Sequence, residues 1–130
     1  MIILTLQSSF SSAHFYNQAQ WTEEENQKNF GKCNTEHGHG HNYTLEVGFH
    51  VNENEVQQKK DEYFALLFNL TDVVDHEHLN LVIPEFKNTV PTTENIALYF
   101  LEKLKKKTSE KNISYIRLYE TDDIWTEIKL

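Results

Sequence analysis

The sequence is poor in cysteine and in long apolar segments, and each shortage excludes a class of protein. Among 130 residues there is one cysteine, Cys33, so no disulfide can form within the chain and a reducing compartment is expected. The first residues carry no basic segment, and their apolar run is too short for a secretory signal. No stretch approaches the roughly 20 apolar residues of a membrane span. We therefore expect a cytoplasmic protein.

Positive charge is also scarce. Lysine and arginine together number 12 against 20 aspartates and glutamates, which gives a net charge of −8, and Arg117 is the one arginine. Proteins that bind nucleic acid neutralise phosphates with a basic face. Attachment to an acidic membrane surface also requires basic residues. We therefore expect neither a nucleic-acid partner nor a membrane partner.

Repeats, low-complexity tracts and Pro/Gly/Ser-rich linkers are absent as well. The length suits one domain, and 38% hydrophobic with 12% aromatic residues is enough for a core. The sequence therefore predicts a single domain over residues 1–130.

Hydropathy patterns predict four strands and two helices. Period-two alternation predicts strands over residues 2–15, 41–51, 113–120 and 124–130. Helical spacing predicts one helix from residue 63 to about 75, and another from a hydroxyl cap at residue 92 to the lysines at 105–107. The polar residues 17–38 are predicted to form a long loop, which in a small domain is usually functional. This order predicts an α+β fold in which two helices cover one face of a four-stranded sheet.

Three of the seven histidines lie within residues 37–41. His39 and His41 share a face at the start of a predicted strand. If that strand pairs antiparallel with the first one, His14 comes alongside His41. Three neutral imidazoles with an open fourth position are the ligand set of a catalytic zinc site, and cobalt, nickel or iron would also accept imidazole. The same face argument does not extend to His37 or His50. His78, as the second histidine of His76-Glu77-His78, is also not expected to be a ligand.

Reactive side chains also stand at three other places. Cys33, six residues before His39, is either a small buried hydrophobe or a thiol whose pKa a nearby metal or histidine lowers. Asp75 precedes His76, and a carboxylate beside an imidazole can orient a general acid or base. Glu120 continues an apolar strand face, so it either reaches water at an edge or pairs with a cationic or amide-bearing ligand.

Seven short motifs occur in one order over residues 10–122. They are FSSAH (10–14), EN (25–26), FGKCN (30–34), HGHGHNY (37–43), VDHEHLN (74–80), TTENIA (92–97) and YETD (119–122). Several motifs in one order are far more specific than any single motif. Together they resemble the 6-pyruvoyltetrahydropterin synthase family, which also contains the 6-carboxytetrahydropterin synthases of queuosine biosynthesis.

The resemblance implies a tunnelling fold (T-fold), in which a four-stranded antiparallel sheet has two helices on one side. It also implies a homohexamer of two stacked trimers, with active sites between subunits. The implied cofactor is Zn2+, with the ligands His14, His39 and His41. The other implied site residues are a proton-abstracting Cys33, the relay pair Asp75 and His76, a pterin-anchoring Glu120, and a recognition loop with Thr92, Thr93 and Glu94.

The implied activity is that of a lyase on a small-molecule pterin, 7,8-dihydroneopterin triphosphate, with 6-pyruvoyl- or 6-carboxy-tetrahydropterin as product. The six-residue step from Cys33 to His39 resembles the pyruvoyl-forming branch. Glu36, which lies between them, resembles a glutamate with which some members cleave the pterin side chain to 6-hydroxymethyldihydropterin for folate synthesis. A T-fold module that binds pterin or metal without turnover is a further alternative.

Overall fold

The computed structural model describes residues 1–34 and 38–130, except for the side chain of Cys33. Within these residues the chain forms five strands and four α-helices, joined by short 3-10 turns. The strands are β1 (Ile2–His14), β2 (His39–Val51), β3 (Glu77–His78), β4 (Ile113–Tyr119) and β5 (Trp125–Lys129). The helices are α1 (Glu23–Phe30), α2 (Val56–Asp72), α3 (Leu79–Val82) and α4 (Thr93–Lys105).

The described strands form one sheet in the order β3-β1-β2-β4-β5. β1 and β2 pair antiparallel along their whole length, from Ile2 opposite Val51 to His14 opposite His39. β4 pairs antiparallel with both β2 and β5, so the four predicted strands are the four antiparallel ones. The predicted α+β fold is confirmed, but the short β3 runs parallel to β1 and makes the sheet five-stranded and mixed.

One face of the sheet supplies the core. Even positions of β1 and odd positions of β2 share that face, and α2 and α4 contribute buried side chains against it. Its fully buried members include Leu45, Phe49, Leu67, Phe100 and Leu118. The alternation in the sequence therefore gave the correct inward face for both long strands. Among the described helices, none has the length and apolar character that crossing a bilayer requires.

Both predicted helices are present, but their ends were predicted with different accuracy. α4 starts where it was predicted, because Thr92 accepts a hydrogen bond from the backbone N–H of Asn95 at 3.3 Å and caps the helix. α2 begins at Val56, well before the predicted start at Tyr63, and it ends at Asp72. Its first turns are largely polar and solvent-facing, so they carry little of the apolar spacing on which the prediction relied.

The prediction of one uninterrupted loop over residues 17–38 is wrong, because α1 occupies part of it. Thr22 caps this helix, because its hydroxyl accepts from the Glu25 N–H at 3.1 Å, and Thr22-x-x-Glu25 is the sequence signature of a capping box. Asn26 is the one buried residue of α1, so the helix has no apolar stripe. The capping box was the available signal, and periodicity could not reveal it.

Candidate metal centre and active site

The pairing of β1 with β2 gathers three histidines at one end of the sheet. His14 lies opposite His39, and His41 lies opposite Ser12, so the three imidazoles share the helix-covered face. Their ring centroids are separated by 4.7 Å for His14–His39, 4.9 Å for His39–His41 and 5.2 Å for His14–His41. One possible ligand atom from each lies within 4.8 Å of the others. The cross-strand neighbour of His14 is His39, whereas the sequence placed it beside His41.

The donor atoms of this cluster fit a metal ion. His14 is completely buried, and this burial, followed by the charges of the neighbouring histidines, lowers its pKa from 6.5 to about 3. Its ring is therefore neutral at neutral pH, as a metal ligand must be. The Nε2 atoms of His14 and His41 are buried without a hydrogen-bond partner, which is uncommon for buried polar atoms. His14, His39 and His41 could therefore hold a metal ion.

Glu120 connects this cluster to the start of α4. The Thr93 hydroxyl donates to Glu120 Oε2 at 2.8 Å. Glu120 Oε1 lies 2.9 Å from His41 Nε2, although the two atoms are not aligned as a hydrogen bond. Burial lowers the pKa of His41, and the Glu120 charge opposes that shift. Glu120 is thus a partnered carboxylate at the margin of the histidine cluster and not an edge residue in open water.

The other two residues of the predicted recognition loop lie beside Thr93. Thr92 is the N-cap of α4, so its hydroxyl is engaged by the helix backbone. Glu94 lies in the first turn of α4 and is exposed. Thr93 is therefore the member of this group that the structure ties directly to Glu120.

The Asp75–His76 pair lies just before β3, on the side of β1 away from β2. Asp75 Oδ1 accepts a hydrogen bond from the Ser11 N–H at 2.8 Å, and Oδ2 lies 3.0 Å from His76 Nδ1. The Ser11 N–H, with a contribution from His76, holds the pKa of Asp75 below its ordinary value. His76 has a φ of +60° and its side chain is 83% exposed, so the ring is presented to solvent from a left-handed backbone.

One open cleft lies across the end of β1, between the start of β2 and residues 76–78. It has a volume of about 480 Å3 and is lined by residues 11–13 of β1, residues 40–42 of β2 and residues 76–78. The cleft therefore connects the start of β2, which carries His41, with the exposed His76 across the end of β1.

Two predicted site residues, Cys33 and Glu36, lie partly or wholly outside the described part of the chain. Cys33 ends a short 3-10 turn after α1, and its side chain is outside the description. Glu36 lies outside the described residues, as does His37. The roles assigned to Cys33 and Glu36 from the sequence therefore stay predictions.

Two residues next to the cluster received no role from the sequence, since His78 was set aside and Tyr43 was only part of a motif. The Tyr43 hydroxyl lies 2.7 Å from His14 Nδ1 in a buried contact. The ring of His78 lies 5.5 Å from that of Phe15, and its Nδ1 is buried without a hydrogen-bond partner. Tyr43 follows His41 by two positions on the same strand, so alternation could have found it. His78 reaches the site only through the pairing of β3 with β1, which no local pattern indicates.

The chain is similar to known proteins over nearly its whole length. A family model described as 6-pyruvoyl tetrahydropterin synthase matches residues 3–130. A Poecilia reticulata protein named 6-pyruvoyl tetrahydrobiopterin synthase is 35% identical, over 92% of this chain and 84% of its own. The structure of Caenorhabditis elegans 6-pyruvoyl tetrahydropterin synthase matches with a TM-score of 0.83 and 34% identity, and the match covers 99% of this chain and 96% of that one.

A more distant relative bears a different name. A Pyrococcus furiosus protein named dihydroneopterin monophosphate aldolase is 28% identical, over 94% of this chain and 92% of its own. The family model and the more similar relatives agree in both sequence and fold. The chain therefore belongs to the 6-pyruvoyl tetrahydropterin synthase family.

Proposed function

We propose that this protein is a zinc-dependent lyase that converts 7,8-dihydroneopterin triphosphate to 6-pyruvoyl-tetrahydropterin with release of triphosphate. The observation that carries the proposal is the convergence of three imidazoles beside a carboxylate that α4 holds in place. Family membership supports the pterin as the substrate class. The ligands we propose for Zn2+ are His14, His39 and His41.

Glu120 is the proposed anchor for the pterin ring. A carboxylate offers two acceptor oxygens in one plane, which match the neighbouring amino and ring N–H groups of a pterin. Thr93 donates to Oε2 of this carboxylate, so it restricts how the carboxylate can turn. Glu94 and Thr92, on either side of Thr93, complete the proposed recognition segment.

We assign proton transfer to Asp75 and His76, which lie on the side of β1 away from β2, and to the thiol of Cys33. Zinc, when bound, supplies Lewis-acid polarisation of the oxygens on the substrate side chain. Asp75 orients the His76 ring through Nδ1, which leaves Nε2 free to hold or deliver a proton. Cys33, as thiolate, is the proposed base that removes a proton from the side chain.

The decisive experiment is product identification by mass spectrometry after incubation with 7,8-dihydroneopterin triphosphate. The metal-free protein should be inactive, and added zinc should restore 6-pyruvoyl-tetrahydropterin formation. His39→Gln should abolish turnover, while His50→Gln makes the same change near the far end of the same strand and should retain it. Turnover that survives both chelation and His39→Gln would refute the proposal. 6-Carboxytetrahydropterin as the sole product would move the assignment to the queuosine branch.

A second candidate function is cleavage of a dihydroneopterin-type substrate to 6-hydroxymethyldihydropterin for folate synthesis. Two observations favour it, namely the aldolase name of the Pyrococcus furiosus relative and the presence of Glu36 between Cys33 and His39. In that case Glu36→Ala should abolish the hydroxymethyl product and Cys33→Ala should spare it. Tight pterin binding with no product at all would instead indicate a binding module.

We further propose that the protein is a single cytoplasmic domain that assembles into trimers stacked as a homohexamer, without a nucleic-acid partner. The sheet order supports assembly, because β5 is an edge strand within the described residues and edge strands are open to further pairing. Sedimentation velocity at several protein concentrations tests this assembly. A monomer at micromolar concentration would contradict it.

A further inference from the structure

The hydroxyl of Tyr43 makes a buried contact with a histidine of the metal cluster. Tyr43 is 1% exposed and lies on β2 directly opposite Phe10 of β1. The two rings stack with centroids 5.0 Å apart and planes inclined by 13°. This stacking directs the Tyr43 hydroxyl to His14, whose Nδ1 lies 2.7 Å away.

This contact indicates which ring nitrogen of His14 carries the proton. A neutral imidazole has one N–H and one nitrogen lone pair, and a metal ion needs the lone pair. With the proton on Nδ1, His14 donates to the Tyr43 oxygen and Nε2 presents its lone pair to the cluster. With the proton on Nε2, a buried N–H would point at the other imidazoles without a partner, which is costly.

We propose that Tyr43 is a positioning residue for the metal centre: its hydroxyl oxygen accepts the Nδ1–H of His14 and leaves Nε2 as the ligand atom. The inference rests on the proposed metal dependence and adds to it a residue outside the ligand set. Ligating histidines generally donate their second N–H to an oxygen, and loss of that partner typically lowers metal affinity about 10- to 100-fold. Tyr43 neither binds the metal nor touches the substrate in this assignment.

Tyr43→Phe is a specific test, because it removes one oxygen and keeps the ring that stacks on Phe10. The matched control is Tyr115→Phe, which also removes a hydroxyl hydrogen-bonded to a side chain of the sheet. The Tyr115 hydroxyl donates to Glu46 Oε1 at 2.8 Å, and Glu46 is remote from the three histidines along β2.

The measurement is the zinc dissociation constant of each purified variant, obtained by competition with a chromophoric chelator. We expect Tyr43→Phe to weaken zinc binding about 10- to 100-fold and Tyr115→Phe to leave it unchanged. The visible spectrum of the cobalt-loaded protein should shift in Tyr43→Phe alone, because only that variant reorients a ligand. Equal zinc affinity in the wild type and Tyr43→Phe, or equal weakening in both variants, would overturn the inference.

A second measurement does not depend on the folding of a variant. Nitrogen-15 NMR of the histidine rings in the wild-type protein should show the His14 proton on Nδ1, with and without zinc. A proton on Nε2 in both states would overturn the inference while leaving the metal proposal intact. A wild-type protein that binds no zinc would overturn both the metal proposal and the inference about Tyr43. The two failures are therefore distinguishable.

Discussion

Replacing Gly38 by alanine would put a methyl group where the end of β1 leaves no room. Gly38 has a φ of +69°, and a Cβ built there would lie 2.3 Å from the carbonyl oxygen of His14 and 2.8 Å from its carbonyl carbon. These are backbone atoms of a proposed metal ligand, so they cannot swing aside as a flexible side chain could. The matched change is Gly40→Ala, on the other side of His39, where the nearest atom is the Ser12 carbonyl oxygen at 3.5 Å.

The backbone angle and the contact distances set the expected difference in stability between the two variants. A non-glycine residue in the left-handed region costs about 1–2 kcal/mol, and an added methyl in a space without room costs about 1–3 kcal/mol. Gly38→Ala should therefore lower the free energy of unfolding of the metal-free protein by roughly 2–5 kcal/mol. Gly40→Ala meets ordinary van der Waals contact and should be neutral, or stabilising by up to about 1 kcal/mol through the unfolded chain.

Urea unfolding and zinc titration of both variants provide the assay. Relief of the clash must change the spacing between Gly38 and the end of β1, beside the proposed ligands His14 and His39. We therefore expect Gly38→Ala to weaken zinc binding as well as stability, and Gly40→Ala to preserve both. Equal unfolding free energies for the two variants, or wild-type zinc affinity in Gly38→Ala, would refute the reasoning.

The metal-free protein should lose stability as pH falls from about 6.5 towards 3, because His14 binds a proton in the unfolded chain but not in the folded one; the loss is up to about 1.4 kcal/mol per pH unit. Acid titration followed by circular dichroism should show a shallower slope in His14→Gln. Asn26→Ala should cost about 1–3 kcal/mol in urea unfolding, because the Gln18 N–H loses its acceptor and the carbonyl oxygens of Gln18 and Thr22 each lose one of their donors. Asn29→Ala, an exposed change on α1, should cost much less. Thr93→Val removes the donor to Glu120 and should raise KM for the pterin roughly 10-fold with little change in kcat; a fall in kcat at constant KM would contradict the anchoring role.

The periodic segments of the fold were predictable because their signal is local. Alternation along β1 and β2 follows from the two faces of a strand, and it correctly named the buried side of each. α4 was found with its cap at Thr92, since a hydroxyl cap and an apolar stripe occur together there. α1 and the first turns of α2 were not found, because neither buries an apolar stripe of its own. β3 was missed because two residues of strand carry no period.

The site residues also differ in whether a local sequence pattern or only the tertiary structure indicates their contacts. His39 and His41 were placed on one face by their spacing, and antiparallel pairing was enough to bring His14 near them. Thr93 could be connected to Glu120 only after the start of α4 had been packed against the end of β4. The contacts of Tyr43 and His78 with this cluster also depend on pairing between segments that are distant in sequence.

By itself the sequence determined the residue types, the strand and helix periods, the family and the face on which each histidine stands. It could do so because those properties depend on neighbours one to four positions away, or on motifs kept in order. The tertiary structure alone decided that His14 faces His39, that the Tyr43 hydroxyl meets Nδ1, and that Gly38 has no room for a methyl group while Gly40 has. These facts depend on strand register and close packing, where a shift of one residue or 1 Å changes which atoms meet.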